Sequence, residues 1–131
     1  ARALGIDAGR VAAVDITFNA DGSYAGFDTA SALTMSGGKL ATIEQWSVHR
    51  PAMMVGDGTT DLEARPAVDF FVAFAGVVER PNVVNAADAV VRANSLAPVL
   101  PLVLNADELL RTSHHSLYER GAALNAAVST R

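Results

Sequence analysis

An uninterrupted apolar tetrapeptide, Ala52-Met53-Met54-Val55, runs straight into Gly56-Asp57-Gly58-Thr59-Thr60-Asp61. A strand that is apolar at every position offers no face to water, so it is the kind buried in a parallel sheet. Open α/β sheets place their ligands beyond the carboxyl ends of such strands. The residue delivered to that end here is Asp57, flanked by glycines that permit a tight turn and close backbone approach. Asp61, four positions further on, faces the same pocket from the first turn of a following short helix that runs to about Ala64. Two carboxylates and a hydroxyl in that arrangement suit a hard cation such as Mg²⁺, which keeps waters and shares substrate phosphate oxygens. Taken alone, the same residues also fit an Asp-Gly turn with Asp61 as a charge at a helix N-terminus.

The rest of the chain alternates in a compatible way. Val68 to Phe74 and Asp88 to Val91 read as further apolar strands, with Asn82 to Ala87 a short helix or turn between them. Gly37 to Trp46 reads as a helix with Leu40, Ile43 and Trp46 on one face and Ser36 as N-cap. Upstream, Val11 to Phe18 and Ser23 to Phe27 read as the strands of a hairpin around the turn Asn19 to Gly22. Ala1 to Leu4 reads as a last helical turn closed by Gly5. From Ser95 the chain reads as helical in pieces, with Asn105 opening a last long segment to about Val128. Short buried strands alternating with helices define an α/β layered domain with a largely parallel sheet. Trp46, Phe70 and Phe71 are expected in its core, and Met53 and Met54 on the two faces of their strand. Leu109, Leu110, Leu117 and Leu124 are expected to form an apolar stripe that packs on the body or on a second copy.

Composition narrows the function classes. The 131 residues suffice for one modest core. Ten Lys and Arg against fourteen Asp and Glu leave a net charge of −4, which argues against nucleic acid or an anionic membrane as partner. Half the residues are apolar and 18% are charged, so disorder is not expected. The absence of cysteine removes disulfides, thiolate zinc sites and cysteine nucleophiles, and leaves the redox compartment open. No apolar run approaches the roughly 18 residues of a membrane span. The best, Val68 to Val78 and Leu96 to Leu104, are broken by Asp69 and by Pro98 and Pro101. His49 reads as a loop residue, and the adjacent His114 and His115 point in different directions with no acid at ligand spacing.

The motif at Gly56 to Asp61 resembles the fourth motif of the haloacid dehalogenase superfamily, and Ser36-Gly37-Gly38-Lys39 resembles its third. Gly22-Ser23-Tyr24-Ala25-Gly26-Phe27, Val68-Asp69-Phe70-Phe71 and Gly76-Val77-Val78-Glu79-Arg80 are similar to stretches of its phosphoserine phosphatase branch, in the same order. The resemblance runs from about Leu4 to Leu104. It implies a Rossmannoid core over residues 1–104, corresponding to the C-terminal half of such an enzyme, and a helical extension over 105–131. It further implies that Asp57 binds Mg²⁺ and that Lys39 neutralises the transferring phosphoryl group. Thr60 and Gly58 would lie by the phosphate, Arg80 near the substrate, and Asp61 would support metal and lysine. The family nucleophile is the first aspartate of an Asp-x-Asp motif, yet no two aspartates here stand two positions apart. With no initiator Met and a truncated opening helix, the chain is expected to need a missing N-terminal half. The implied activity is cytoplasmic, Mg²⁺-dependent hydrolysis of a small phosphomonoester, phosphoserine first, through an aspartyl phosphate, as in serine biosynthesis. A different small phosphomonoester, or an inactive chain serving in binding or assembly, are the alternatives. Self-association is expected where the other half would sit.

Overall fold

The computed structural model describes residues 2–128. Three parallel strands carry the body: β3 (Met53–Gly56), β4 (Phe70–Phe74) and β5 (Ala89–Val91), in the order β3-β4-β5. A separate antiparallel hairpin, β1 (Ile16–Phe18) and β2 (Tyr24–Phe27), precedes them. The helices are α1 (Gly38–Gln45), α2 (Thr59–Leu62), α3 (Pro81–Val84), α4 (Leu100–Val103), α5 (Ala106–Arg111) and α6 (His115–Val128). Among the described residues, no helix is long and apolar enough to cross a membrane.

The register pairs Met53 with Phe70, Met54 with Phe71 and Val72 with Ala89, so alternate residues share a face. On one face Phe71 and Ala73 join Val83 of α3 in a buried cluster packed by Met54, Leu62, Val84, Ala87 and Val90. On the other, Val55 and Phe74 line a cleft with Leu96, Val99 and Leu100, and Met53 and Phe70 line another with Leu102 and Val103. The two methionines thus fill opposite faces as expected. Helix α6 docks behind that second layer: Asn125 Nδ2 donates to the Pro98 carbonyl at 3.0 Å, and buried Gly121 lies against Ala97. A Cβ at Gly121 would stand 2.1 Å from the Ala97 carbonyl oxygen, so only glycine permits this approach.

The starts of β3 and of β4 are each tied to a carboxylate that precedes the following strand. Asp69, just before β4, accepts from the Ala52 N–H at 2.7 Å and pairs with Arg50. Asp88, just before β5, accepts from the Phe71 N–H at 2.8 Å and from both terminal nitrogens of Arg65. The Arg65 guanidinium, with the Phe71 N–H, draws the Asp88 carboxyl down to about 2.

Several local expectations are corrected. The first hairpin strand starts at Ile16: the Asp28 N–H still donates to the Asp15 carbonyl at 2.8 Å, but the ladder with Tyr24–Phe27 does not extend over residues 11–14. Ser36 is not the N-cap of α1. Gly37 is, with φ 74°, and the Ser36 hydroxyl and Gly37 N–H instead donate to the Glu63 carboxylate at 3.2 and 2.8 Å. Trp46 is 45% exposed, not core: it sits past the end of α1, over a sheet whose edge strand is β3. Phe71 is fully buried and Phe70 half-buried. The long last segment is two helices. Asn105 and Glu108 form the reciprocal cap of α5, which stops at Arg111, and α6 begins at His115. The break dissolves the leucine stripe, leaving Leu110 79% exposed and Leu117 out in solvent. Strand β3 itself is half-buried throughout, as an edge strand must be. Of the opening turn, Arg2–Leu4 is a short 3₁₀ turn followed by Gly5, and Ala1 lies outside the described residues.

Candidate active site

Strand β3 ends at Gly56, and the chain turns through Asp57 and Gly58 into α2. The turn is held by a carboxylate folded back over it. Asp61 is 6% exposed, and its Oδ2 accepts from the Asp57 N–H at 3.0 Å and the Gly58 N–H at 2.9 Å. Its Oδ1 accepts from Lys39 Nζ, in the first turn of α1. Gly56 makes room for this: a Cβ there would lie 2.2 Å from Asp61 Cβ. Asp61 therefore ties the strand-end loop and the lysine into one rigid unit, with the carboxylate's charge spread over three donors.

Asp57 points the other way, into solvent. Its side chain is 54% exposed, and Arg80 Nη1 donates to its Oδ2 at 2.6 Å and to its carbonyl oxygen at 2.8 Å. Arg80 stands in the loop after β4, at the start of α3, so two neighbouring strand ends supply the pair. Thr60 lies exposed on α2. Its Oγ1 would be 3.8 Å from a Cβ built on Gly58. Lys39, Asp57, Gly58, Thr60, Asp61 and Arg80 are thus gathered at the carboxyl ends of β3 and β4. His49, His114 and His115 are not part of this cluster: all three are exposed, and His115 Nε2 sits 2.8 Å from the Leu109 carbonyl oxygen.

Glu63 is the positioning residue the sequence did not disclose. Its contacts with Ser36 and Gly37 pin the end of α2 to the start of α1, two residues before Lys39. The partners are 26 or 27 residues apart, and no local pattern marks such a contact.

The donor set can be tested against a hard divalent cation. Among the described residues, no group of three or more His, Cys, Asp or Glu could hold a metal by itself. Asp61 is buried, and both its oxygens already accept, Oδ1 from the lysine and Oδ2 from two loop N–H groups. Asp57 does fit, as one exposed hard oxygen donor at the strand end. One or two carboxylates completed by water and phosphate oxygens are what Mg²⁺ ordinarily takes.

A cleft of about 390 Å³ opens beside Lys39, walled by Leu33, Thr42, Ile43, Trp46 and Met54 and by the Ile6 to Ala12 segment. A second, of about 490 Å³, lies on the opposite sheet face below Asp57, between Val55, Phe74 and Leu96 to Leu100.

No family model matches the chain. It is 39% identical over 83 residues to the human protein "Phosphoserine phosphatase", covering 61% of this chain and 37% of that one. It is 37% identical over 90 residues to "Phosphoserine phosphatase, chloroplastic" of Arabidopsis thaliana, covering 65% and 30%. The chain therefore spans well under half the length of these curated relatives. Among solved structures, a phosphoserine phosphohydrolase-like protein from Francisella tularensis superposes with a TM-score of 0.62 at 26% identity, covering 79% of this chain and 48% of that one. The parallel sheet with helices on both faces is a haloacid dehalogenase-like Rossmannoid fold. Over part of its length, the chain is related to the phosphoserine phosphatases.

Proposed function

We propose that this chain forms the phosphate- and cation-binding half of a phosphoserine phosphatase-type active site. The observation that supports it is the convergence of Lys39, Asp57 and Arg80 at one set of strand ends, with Asp61 fixing the first two. Phosphoryl transfer asks little covalent chemistry of a protein beyond the nucleophile. It asks for positive charge, already oriented, where the equatorial oxygens gather negative charge. Lys39 supplies a half-exposed ammonium whose direction Asp61 sets. Arg80 supplies a second cation, and the Thr60 hydroxyl a neutral donor beside it. Asp57 is the residue that would hold Mg²⁺, and the bound ion would contribute Lewis-acid charge to a phosphoryl oxygen.

The nucleophile lies outside these 131 residues in this reading, since no Asp-x-Asp occurs among them. Phosphoserine is the substrate favoured by the relatives' names, and an aspartyl phosphate is the intermediate such a nucleophile would form.

The test is complementation. The purified chain is assayed with Mg²⁺ against phosphoserine and p-nitrophenyl phosphate, alone and mixed with the nucleophile-bearing N-terminal segment of a phosphoserine phosphatase relative. The expected result is no turnover alone, and turnover in the mixture that Lys39→Met or Asp57→Asn abolishes. Turnover by the chain alone that vanishes in Asp57→Asn would overturn the placement of the nucleophile. A mixture whose turnover ignores both substitutions would overturn the site.

A further inference from the structure

The loop that follows β4, the central strand, reaches both neighbouring strand ends. At its start the Ala75 N–H donates to the Val91 carbonyl at 2.7 Å, and a Cβ on Gly76 would stand 2.2 Å from the Ala93 carbonyl oxygen, so the loop lies against the end of β5. At its far end Arg80 turns towards β3, where its Nη1 donates to Oδ2 and to the carbonyl oxygen of Asp57. Of the residues between, Val77 is 76% exposed and Val78 46%, so apolar packing does not hold them. Glu79 ties the span down instead. Arg92, the first residue past β5, donates to Glu79 from Nε at 3.1 Å and from Nη2 at 3.0 Å, one bond to each carboxylate oxygen. Such a fork fixes direction as well as distance, which a single contact between exposed charges does not. Neighbouring residues in extended backbone point to opposite sides. Arg80 is extended, with φ −105° and ψ 113°, and Pro81 after it disfavours the helical alternative. A Glu79 held towards β5 therefore sends the next side chain towards β3.

We propose that Arg92, acting through Glu79, is a positioning residue for Arg80: the fork holds residues 77–80 so that the Arg80 guanidinium stands over the strand ends where a phosphoryl group would bind. The proposal rests on the reading of Arg80 as a cation for that group. Charge alone gives a different pattern. Glu79→Gln removes a negative charge and Arg92→Gln a positive one, so simple field effects tighten anion binding in the first and weaken it in the second. Loss of positioning weakens it in both.

NMR titration of the full chain with inorganic phosphate tests this in the unsubstituted protein, Glu79→Gln, Arg92→Gln, the double variant and Arg80→Gln. The expected result is phosphate affinity about threefold lower in each single variant and no lower in the double variant, with the Arg80 Nε resonance displaced in all three. A rise in affinity in Glu79→Gln, losses that add in the double variant, or an Arg80 resonance that does not move overturns the proposal. Phosphate binding that ignores Arg80→Gln, or none at all, overturns the reading of Arg80 as the cation for phosphate. The resonance then decides the positioning by itself: displaced in both single variants it upholds it, unmoved it overturns it. Should a single variant fail to fold, Arg92→Lys takes its place, keeping the charge and losing the fork, with the same expected loss.

Discussion

The glycines on either side of Asp57 look interchangeable in the sequence, and the structure separates them sharply. A methyl at Gly56 would sit 2.2 Å from Asp61 Cβ and 2.3 Å from its Cγ. The obstacle is the root of a side chain rather than its flexible end, so Asp61 itself must move. Overpacking of that kind costs about 1–3 kcal/mol. Displacing Asp61 also weakens bonds from the Asp57 and Gly58 N–H groups to a carboxylate, each worth about 1.5–3 kcal/mol. Reduced freedom of the unfolded chain returns about 0.4–1 kcal/mol. With one of those bonds lost, the net is a destabilisation of about 3 kcal/mol, or a fall in melting temperature of about 10 °C for a domain of this size. At Gly58 the nearest atoms are Asp61 Oδ2 at 3.4 Å and Thr60 Oγ1 at 3.8 Å, and φ is −111°. Gly58→Ala is therefore expected to stay within about 1 kcal/mol of the unsubstituted chain. Urea denaturation followed by circular dichroism and by the single tryptophan, Trp46, measures both. Equal stabilities for the two variants, or Gly56→Ala within about 1 kcal/mol of the parent, would refute the idea that Asp61 rests on the bare strand end.

Asp88 has a folded-state pKa of about 2 against an ordinary 3.8, so its contribution is present above about pH 4 and lost as pH falls towards 2. Asp88→Asn is expected to flatten the loss of stability over that window, read as urea midpoints from pH 5 to 2, and an unchanged slope would count against it. Gly121→Ala is expected to undock α6 from Ala97, seen as selective loss of amide-exchange protection in residues 115–126 while β4 stays protected. Because β3 is apolar and lies at the sheet edge, sedimentation velocity is expected to show concentration-dependent association, and a strictly monomeric chain at all concentrations would argue that the edge is closed.

Much of this protein was decided within short stretches of its own sequence. The apolar runs at Met53, Phe70 and Ala89 announce parallel strands, and their order places Asp57 at a carboxyl end. The Asn105 and Glu108 cap is equally local, needing residues three apart and nothing else. Tertiary structure alone decided which of the charged residues meet. It paired Arg80 with Asp57, brought Lys39 to Asp61, and turned Ser36 from a helix cap into a donor to the distant Glu63. It also left Trp46 45% exposed, just past the end of α1 in the wall of the cleft beside Lys39. The division has a physical cause. Backbone preference and hydrophobic period act over a few residues and select the element and its buried face. A contact between side chains more than 20 residues apart exists only once the sheet has formed and packing has set the distances between its loops.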